Sequence, residues 1–254
     1  MSSLGDVLER LHTAWDHLSS AQGTMRFWYE PIRTHHAWER WSDQSPPGSI
    51  AMIPGPVARG GMSPQGAATN NAREPYSEQY YRFWMAKPWR WRIEQFSAVG
   101  PQSLAEPQQI LVIDGGIWWN WSEGAPVYTN ARSTAPKQAR HPGVDRGLLV
   151  MLDPASLTGT LRMRVGGSAD EIGRRGDVVS GTARDPQPDP GLWPGADEYR
   201  LLVERAHGVL LRAEALLAGE VYAGTAFTEL TLDQAAPDER FVFQAPAGVP
   251  VHNM

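Results

Sequence analysis

Residues 109–123 read QILVIDGGIWWNWSE. Two runs rich in branched and aromatic residues flank Gly115-Gly116, one of the favoured two-residue hairpin loops, with Asp114 supplying the turn chemistry. The stretch therefore reads as two antiparallel strands, 109–114 and 117–123. Side chains alternate along a strand, so Ile117, Trp119 and Trp121 share one face and Trp118 and Asn120 the other. Large aromatics then sit on both faces of one strand.

The same grammar extends outward. Residues 78–86 (EQYYRFWMA) and 89–97 (WRWRIEQFS) flank Lys87-Pro88 and predict a second hairpin. In it Tyr81, Phe83 and Met85 share a face, as do Trp89, Trp91 and Ile93. Residues 160–167 and 176–185 predict a further pair of strands. Residues 198–205 and 208–217 form a hairpin around Ala206-His207-Gly208, 219–233 continues the meander, and 240–246 (RFVFQAP) closes it. A strand is also expected at 24–30.

Helices are few. Leu4, Val7, Leu8, Leu11, Trp15 and Leu18 recur at helical spacing, with Ser3 and Asp6 placed as a capping box and Gly23 as a stop, which predicts a helix over 4–21. Short helices are expected at 34–41, with Ala37 and Trp41 on one side, and at 153–159, capped by Asp153 with Pro154 in first position. Residues 42–77 are rich in Pro, Gly, Ser and Asn. They read as a flexible surface insertion or as a lid. The Pro/Gly-rich residues 185–198 read as another loop. About eleven strands against two or three helices, mostly in consecutive hairpins, give an α+β fold with a large antiparallel sheet, in a single domain spanning 1–254.

Composition narrows the function classes. The chain has 254 residues, 41% hydrophobic and 20% charged, enough for a sizeable core. A net charge of -5 with scattered cations argues against nucleic acid. The absence of cysteine excludes disulfides, thiolate metal sites and a lipidation cysteine. No run is apolar enough for a transmembrane helix, and the first residues do not read as a secretory signal, so the cytoplasm is the expected compartment.

Chemistry-bearing motifs are sparse. His35-His36 is a poor metal pair, because adjacent side chains diverge in regular structure. No HExxH, GxSxG, Walker or calcium-loop pattern occurs, so neither a cofactor nor catalytic residues are expected. Arg90, Arg92 and Glu94 alternate on one strand face, either meeting charges on a neighbouring strand or anchoring an acidic ligand. The aromatics remain: six of eleven tryptophans fall between residues 84 and 121. They suit plain core packing, a cavity lined by large rings, or an exposed patch for a partner.

Three motifs, taken in order, resemble the LolA-like superfamily of lipoprotein carriers, lipid-binding lipoproteins and RseB/MucB regulators. They are the P-x-R-x-R-x-E strand (Pro88 to Glu94), the D-G-x-x-W hairpin (Asp114 to Trp118) and the LLV-x-x-x-x-G-x-LLR hairpin (Leu201 to Arg212), followed by F-x-F-x-x-P-x-G-V from Phe241 to Val249. The resemblance implies an unclosed, strongly curved half-barrel with helices in its concavity. It also implies a non-enzymatic protein whose concavity accepts a hydrophobic small molecule, a lipid acyl chain or a partner's apolar segment. The residues expected to line it are Tyr81, Phe83, Trp91, Ile93, Trp119 and Trp121. A protein partner, held by a regulatory or scaffold module of the RseB type, is the alternative.

Overall fold

The computed structural model describes residues 2–44, 77–97, 106–132, 144–184 and 191–254. In chain order the elements are α1 (Leu4–His17), β1 (Ser20–Tyr29), α2 (Pro31–Gln44), β2 (Ser77–Ala86), β3 (Arg90–Ser97), β4 (Gln109–Asp114), β5 (Ile117–Ser122) and β6 (Val127–Thr129). Then follow α3 (Arg146–Leu152), α4 (Ala155–Thr160), β7 (Leu161–Glu171), β8 (Arg174–Ala183), β9 (Glu198–Glu204), β10 (Leu210–Leu217), β11 (Glu220–Leu232), a 3-10 turn (Asp238–Phe241) and β12 (Val251–Asn253). The fold is α+β. Among the described residues twelve strands run in the order β12-β6-β5-β4-β3-β2-β1-β11-β10-β9-β8-β7, without closure. Pairing is antiparallel from β2 through β6 and from β7 through β11, whereas β12 joins β6 in parallel. Among the described residues no helix is long and apolar enough to cross a membrane.

The residues form two compact units. One comprises Met1–His17, Phe27–Glu78 and Asp145–Phe227; the other comprises Leu18–Arg26, Gln79–Val144 and Thr228–Met254.

In the first unit, directly opposed residues make one apolar and one charged sheet face. Val179, Leu201 and Ala213 form a buried row, and Gly181, Tyr199 and Ala215 another. Arg164, Ser180, Arg200 and Glu214 form a row on the opposite face. Helix α1 buries Val7, Leu11 and Ala14, at the spacing of one helical face, and lies against α4 and β7. The expected capping box is present: Ser3 N donates to Asp6 Oδ2 at 2.9 Å, and Asp6 N to Ser3 Oγ at 3.2 Å.

Asp177 ties α1 down. Its side chain is fully buried and accepts from Ser2 Oγ (2.6 Å), Arg10 Nη2 (2.6 Å) and Arg205 Nε and Nη2 (3.0 and 2.6 Å). Burial alone would raise its pKa. The hydrogen bonds from Arg205, Ser2 and Arg10 outweigh burial and hold the carboxyl below its ordinary value. The turn that carries Arg205 also touches the helix: Gly208 sits at φ +78°, and a Cβ there would overlap the Arg10 carbonyl.

Helix α2 is longer than the expected 34–41. Glu30 caps it, its carboxylate accepting from Ile32 N (3.1 Å) and Arg33 N (2.6 Å). Thr34, Ala37 and Trp41 are buried at helical spacing. The helix leans on residues 191–197, where the expected surface loop is instead packed: Leu192 and Trp193 are buried. Tyr199 and Tyr222 donate their hydroxyls to the carbonyls of Trp193 (2.7 Å) and Pro194 (3.0 Å). Burial raises the Tyr222 pKa, so that hydroxyl stays a donor. Arg40 reaches the Gly195 carbonyl and Asp197, the latter at 2.7 Å.

Several expectations are corrected. Helix α1 stops at His17, and Gly23 lies inside β1, where a Cβ would overlap the Glu229 carbonyl. Glycine there permits close backbone approach rather than ending a helix. Asp153 closes α3 by donating its backbone N–H to Leu149 O (2.7 Å), while Pro154 begins α4 without a side-chain cap. Residues 240–246 are not a strand. Pro237 and Pro246 bracket the segment without N–H donors, and Phe241 ends a 3-10 turn that Phe243 follows. The last strand is β12 instead. Apart from Ser42, Asp43, Gln44 and Ser77, the 42–77 insertion lies outside the described residues.

Gly23→Ala and Gly115→Ala separate close approach from turn conformation. The Gly23 change should cost more than about 2 kcal/mol, since backbone must move. The Gly115 change, at φ +61° with open space around the added carbon, should cost about 1 kcal/mol. Urea unfolding of both variants checks the ranking. Asp177→Ala should cost about 3–5 kcal/mol by stranding Arg10 and Arg205. Because folding lowers the Asp177 pKa, its contribution is present above the unfolded value of 3.8 and is lost as pH falls through the folded one. Melting temperatures from pH 6 to pH 2 should therefore fall less steeply at the acid end for the variant than for the parent.

Candidate functional site

The second unit holds the tryptophan-rich hairpins. Strands β2 and β3 are joined through Lys87, Pro88 and Trp89, so Ala86 opposes Arg90. Gly115 and Gly116 join β4 to β5, so Ile113 opposes Trp118. Directly opposed residues of an antiparallel pair project to the same side. The register thus assigns every side chain of β2–β5 to one of two faces.

One face carries the rows Met85–Trp91–Ile113–Trp118, Phe83–Ile93–Leu111–Asn120 and Tyr81–Gln95–Gln109–Ser122. Four of the six expected lining residues lie here, all buried: Tyr81, Phe83, Trp91 and Ile93. With Met85, Leu111 and Ile113, also buried, they form a contiguous apolar surface. It carries no carboxylate and no cationic side chain.

The other two do not join them. Trp119 and Trp121 belong to the opposite face, in the rows Trp84–Arg92–Val112–Trp119 and Arg82–Glu94–Ile110–Trp121. Trp118 and Asn120, expected on the outer side, share the face of Phe83 and Trp91. Following the pairing from Trp91 through Ile113 to Trp118 gives this result. Hydrophobicity along β5 alone does not, because tryptophan occurs on both its sides. Trp119 and Trp121 are half-buried. The Trp121 indole nitrogen is buried with no hydrogen-bond partner among the described residues.

This second face is neither a bare surface nor an open ligand anchor. The C-terminal segment lies across it. Arg90 pairs with Asp114 (3.2 Å) and Asp238 (2.7 Å), and its guanidinium sits 4.3 Å from the Phe241 ring centroid. Arg92 is held by the buried Glu94 at 2.6 Å and donates to the carbonyls of Arg240 (3.4 Å) and Val242 (3.5 Å). Arg240 lies over Trp84 at 4.8 Å, and Phe243 stacks on Trp119 with centroids 6.4 Å apart. The alternation of Arg90, Arg92 and Glu94 is visible in sequence; the segment it grips, about 150 residues further on, is not. Elsewhere, His35 Nε2 lies 3.2 Å from Glu39, its neighbour one helical turn on, which accounts for one half of the histidine pair.

No family model matches the chain, and no curated protein matches it. Solved structures do. An uncharacterized conserved protein from Thermus thermophilus is similar at 13% identity, with all of both chains covered and a TM-score of 0.46. MucB of Pseudomonas aeruginosa, in its complex with MucA, is similar at 18% identity over 98% of this chain, with a TM-score of 0.47. This chain spans 63% of that one. A LolA superfamily protein from Nitrosomonas europaea is similar at 11% identity, covering 96% of this chain and 99% of its own, with a TM-score of 0.32.

The two faces make opposite energetic demands. Trp91→Ala, emptying a fully buried position, should destabilise by about 3–5 kcal/mol. Trp121→Ala, at a half-buried position, should cost less than half as much. Denaturant unfolding followed by circular dichroism reads both; equal losses would contradict the register.

Proposed function

We infer that the chain is a non-enzymatic binding protein of the LolA-like type, holding a hydrophobic small molecule or lipid acyl chain in the hollow of a curved sheet. The observation that carries this reading is the apolar face of β2–β4. Tyr81, Phe83, Met85, Trp91, Ile93, Leu111 and Ile113 are brought together by register and are buried. The Tyr81 hydroxyl, Gln95, Gln109, Asn120 and Ser122 add polar groups to its rows, and none is a carboxylate or a cation. A ligand that displaced what now covers this face would gain about 0.8 kcal/mol per methylene buried, with the row of Gln95, Gln109 and Ser122 at one end to orient a head group.

The carboxylates with lowered pKa values serve the fold. Asp6, Asp177 and Asp197 are each held low by structural hydrogen bonds: Asp6 from Ser3, Asp177 from Arg205, Ser2 and Arg10, and Asp197 from Ala218 N and Arg40 against the opposing effect of burial. None lies on the apolar face.

A regulatory or scaffold module that binds another protein is the second reading. The opposite face of the same strands favours it, because that face already holds a chain segment through contacts of its side chains.

Native mass spectrometry of the chain purified from its host should show an adduct that organic extraction removes. The extracted protein should then bind a fluorescent fatty-acid probe saturably, and Phe83→Trp should weaken that binding by crowding the face. A chain that carries no adduct and fails to saturate with probe would sink the lipid reading.

A further inference from the structure

We propose that the charged face of β2–β5 is a peptide-recognition surface for partner segments bearing an acidic residue three positions before a Phe-x-Phe pair. Residues Asp238 to Phe243 occupy it in cis as an intramolecular competitor. This does not rest on the lipid reading, which concerns the other face.

The occupant defines the chemistry. Asp238, Phe241 and Phe243 supply one carboxylate and two rings, and each meets a receptor group on the sheet. The carboxylate meets Arg90 at 2.7 Å. The Phe241 ring is buried under the same guanidinium, 4.3 Å away. The Phe243 ring is stacked on Trp119 at an interplanar angle of 15°. Between these anchors Arg92 donates to the carbonyls of residues 240 and 242, a contact any side chain allows. Glu94, buried at 7% exposure, holds Arg92 in place for it. The receptor groups Arg90, Arg92 and Trp119 are therefore fixed by the sheet, whereas the segment is held by its side chains and two carbonyls.

The grip is also exchangeable. The Asp238 side chain is 85% exposed, and exposed ion pairs contribute little. The segment is joined to β11 through residues 233–237, mostly exposed. It returns to the sheet only at β12, whose three residues are exposed and pair with β6 at the sheet edge. Such a segment opens at lower free energy than the strands beneath it. A partner presenting the same three anchors then competes for one surface.

The test uses the full chain and a fluorescent peptide with the sequence of residues 236–246, APDERFVFQAP. The Phe241→Ala chain, whose own segment has lost its buried anchor, should bind this peptide at least about tenfold more tightly than the parent chain does. The peptide with both phenylalanines replaced by alanine should not bind. If Phe241→Ala does not fold, Phe243→Ala, which removes only the half-buried ring stacked on Trp119, takes its place under the same criteria. The proposal is overturned if the folded variant binds neither peptide, or binds both alike. A parent-chain dimer that dissociates on Phe241→Ala substitution would assign the surface to a second copy's segment and overturn the idea of a foreign partner.

Discussion

The rule that opposed residues of antiparallel strands point the same way governs this molecule. Once Gly115-Gly116 sets Ile113 against Trp118, every side chain from Tyr80 to Ser122 in these strands has its face decided. A slip of one residue would move Phe83 and Trp91 to the charged side and bring Arg92 and Glu94 into the apolar one. The cost of burying that ion pair in place of two large rings makes any other register inaccessible. The apolar surface, the docked C-terminal segment and the proposed binding role all follow from that choice.

The first unit meets a related demand differently. Its sheet also has one apolar and one charged face, but the apolar face is closed by helices. Asp177 is the exception on that face, a full charge at zero exposure. Four hydrogen bonds from three donor residues make it tolerable. Those donors sit at the start of α1, in its middle and in the β9–β10 turn. One carboxylate therefore fixes both the position and the rotation of the helix.

Much of this was legible in the sequence. Local chemistry carried the strands and hairpins, because Asp-Gly-Gly and Ala-His-Gly turns bound runs of alternating residues. The Ser3/Asp6 cap was equally readable. What escaped depends on distant partners. Gly23 looks like a helix stop until Glu229 is known to pass over it. Residues 191–197 look like a surface loop, since Gly and Pro dominate, yet Trp193 is buried and the hydroxyls of Tyr199 and Tyr222 secure the backbone. Strand β12 is too short to show a period. The face that Trp119 and Trp121 occupy is not legible in β5, because alternation along one strand says nothing about which side is shared with the next. Only the ladder does.

The bond between Arg10 and Asp177 spans 167 residues of chain. Ribosomes deliver the N-terminus first, so α1 leaves the exit tunnel long before the strand that receives it exists. During that interval its apolar stripe of Val7, Leu11 and Ala14 has no sheet to cover. Contacts of such separation make folding slow, and nascent amphipathic helices attract other hydrophobic surfaces. Helix α1 is thus made well before the strand and turn that secure it, and its biogenesis calls for shielding of that helix until translation has passed Arg205.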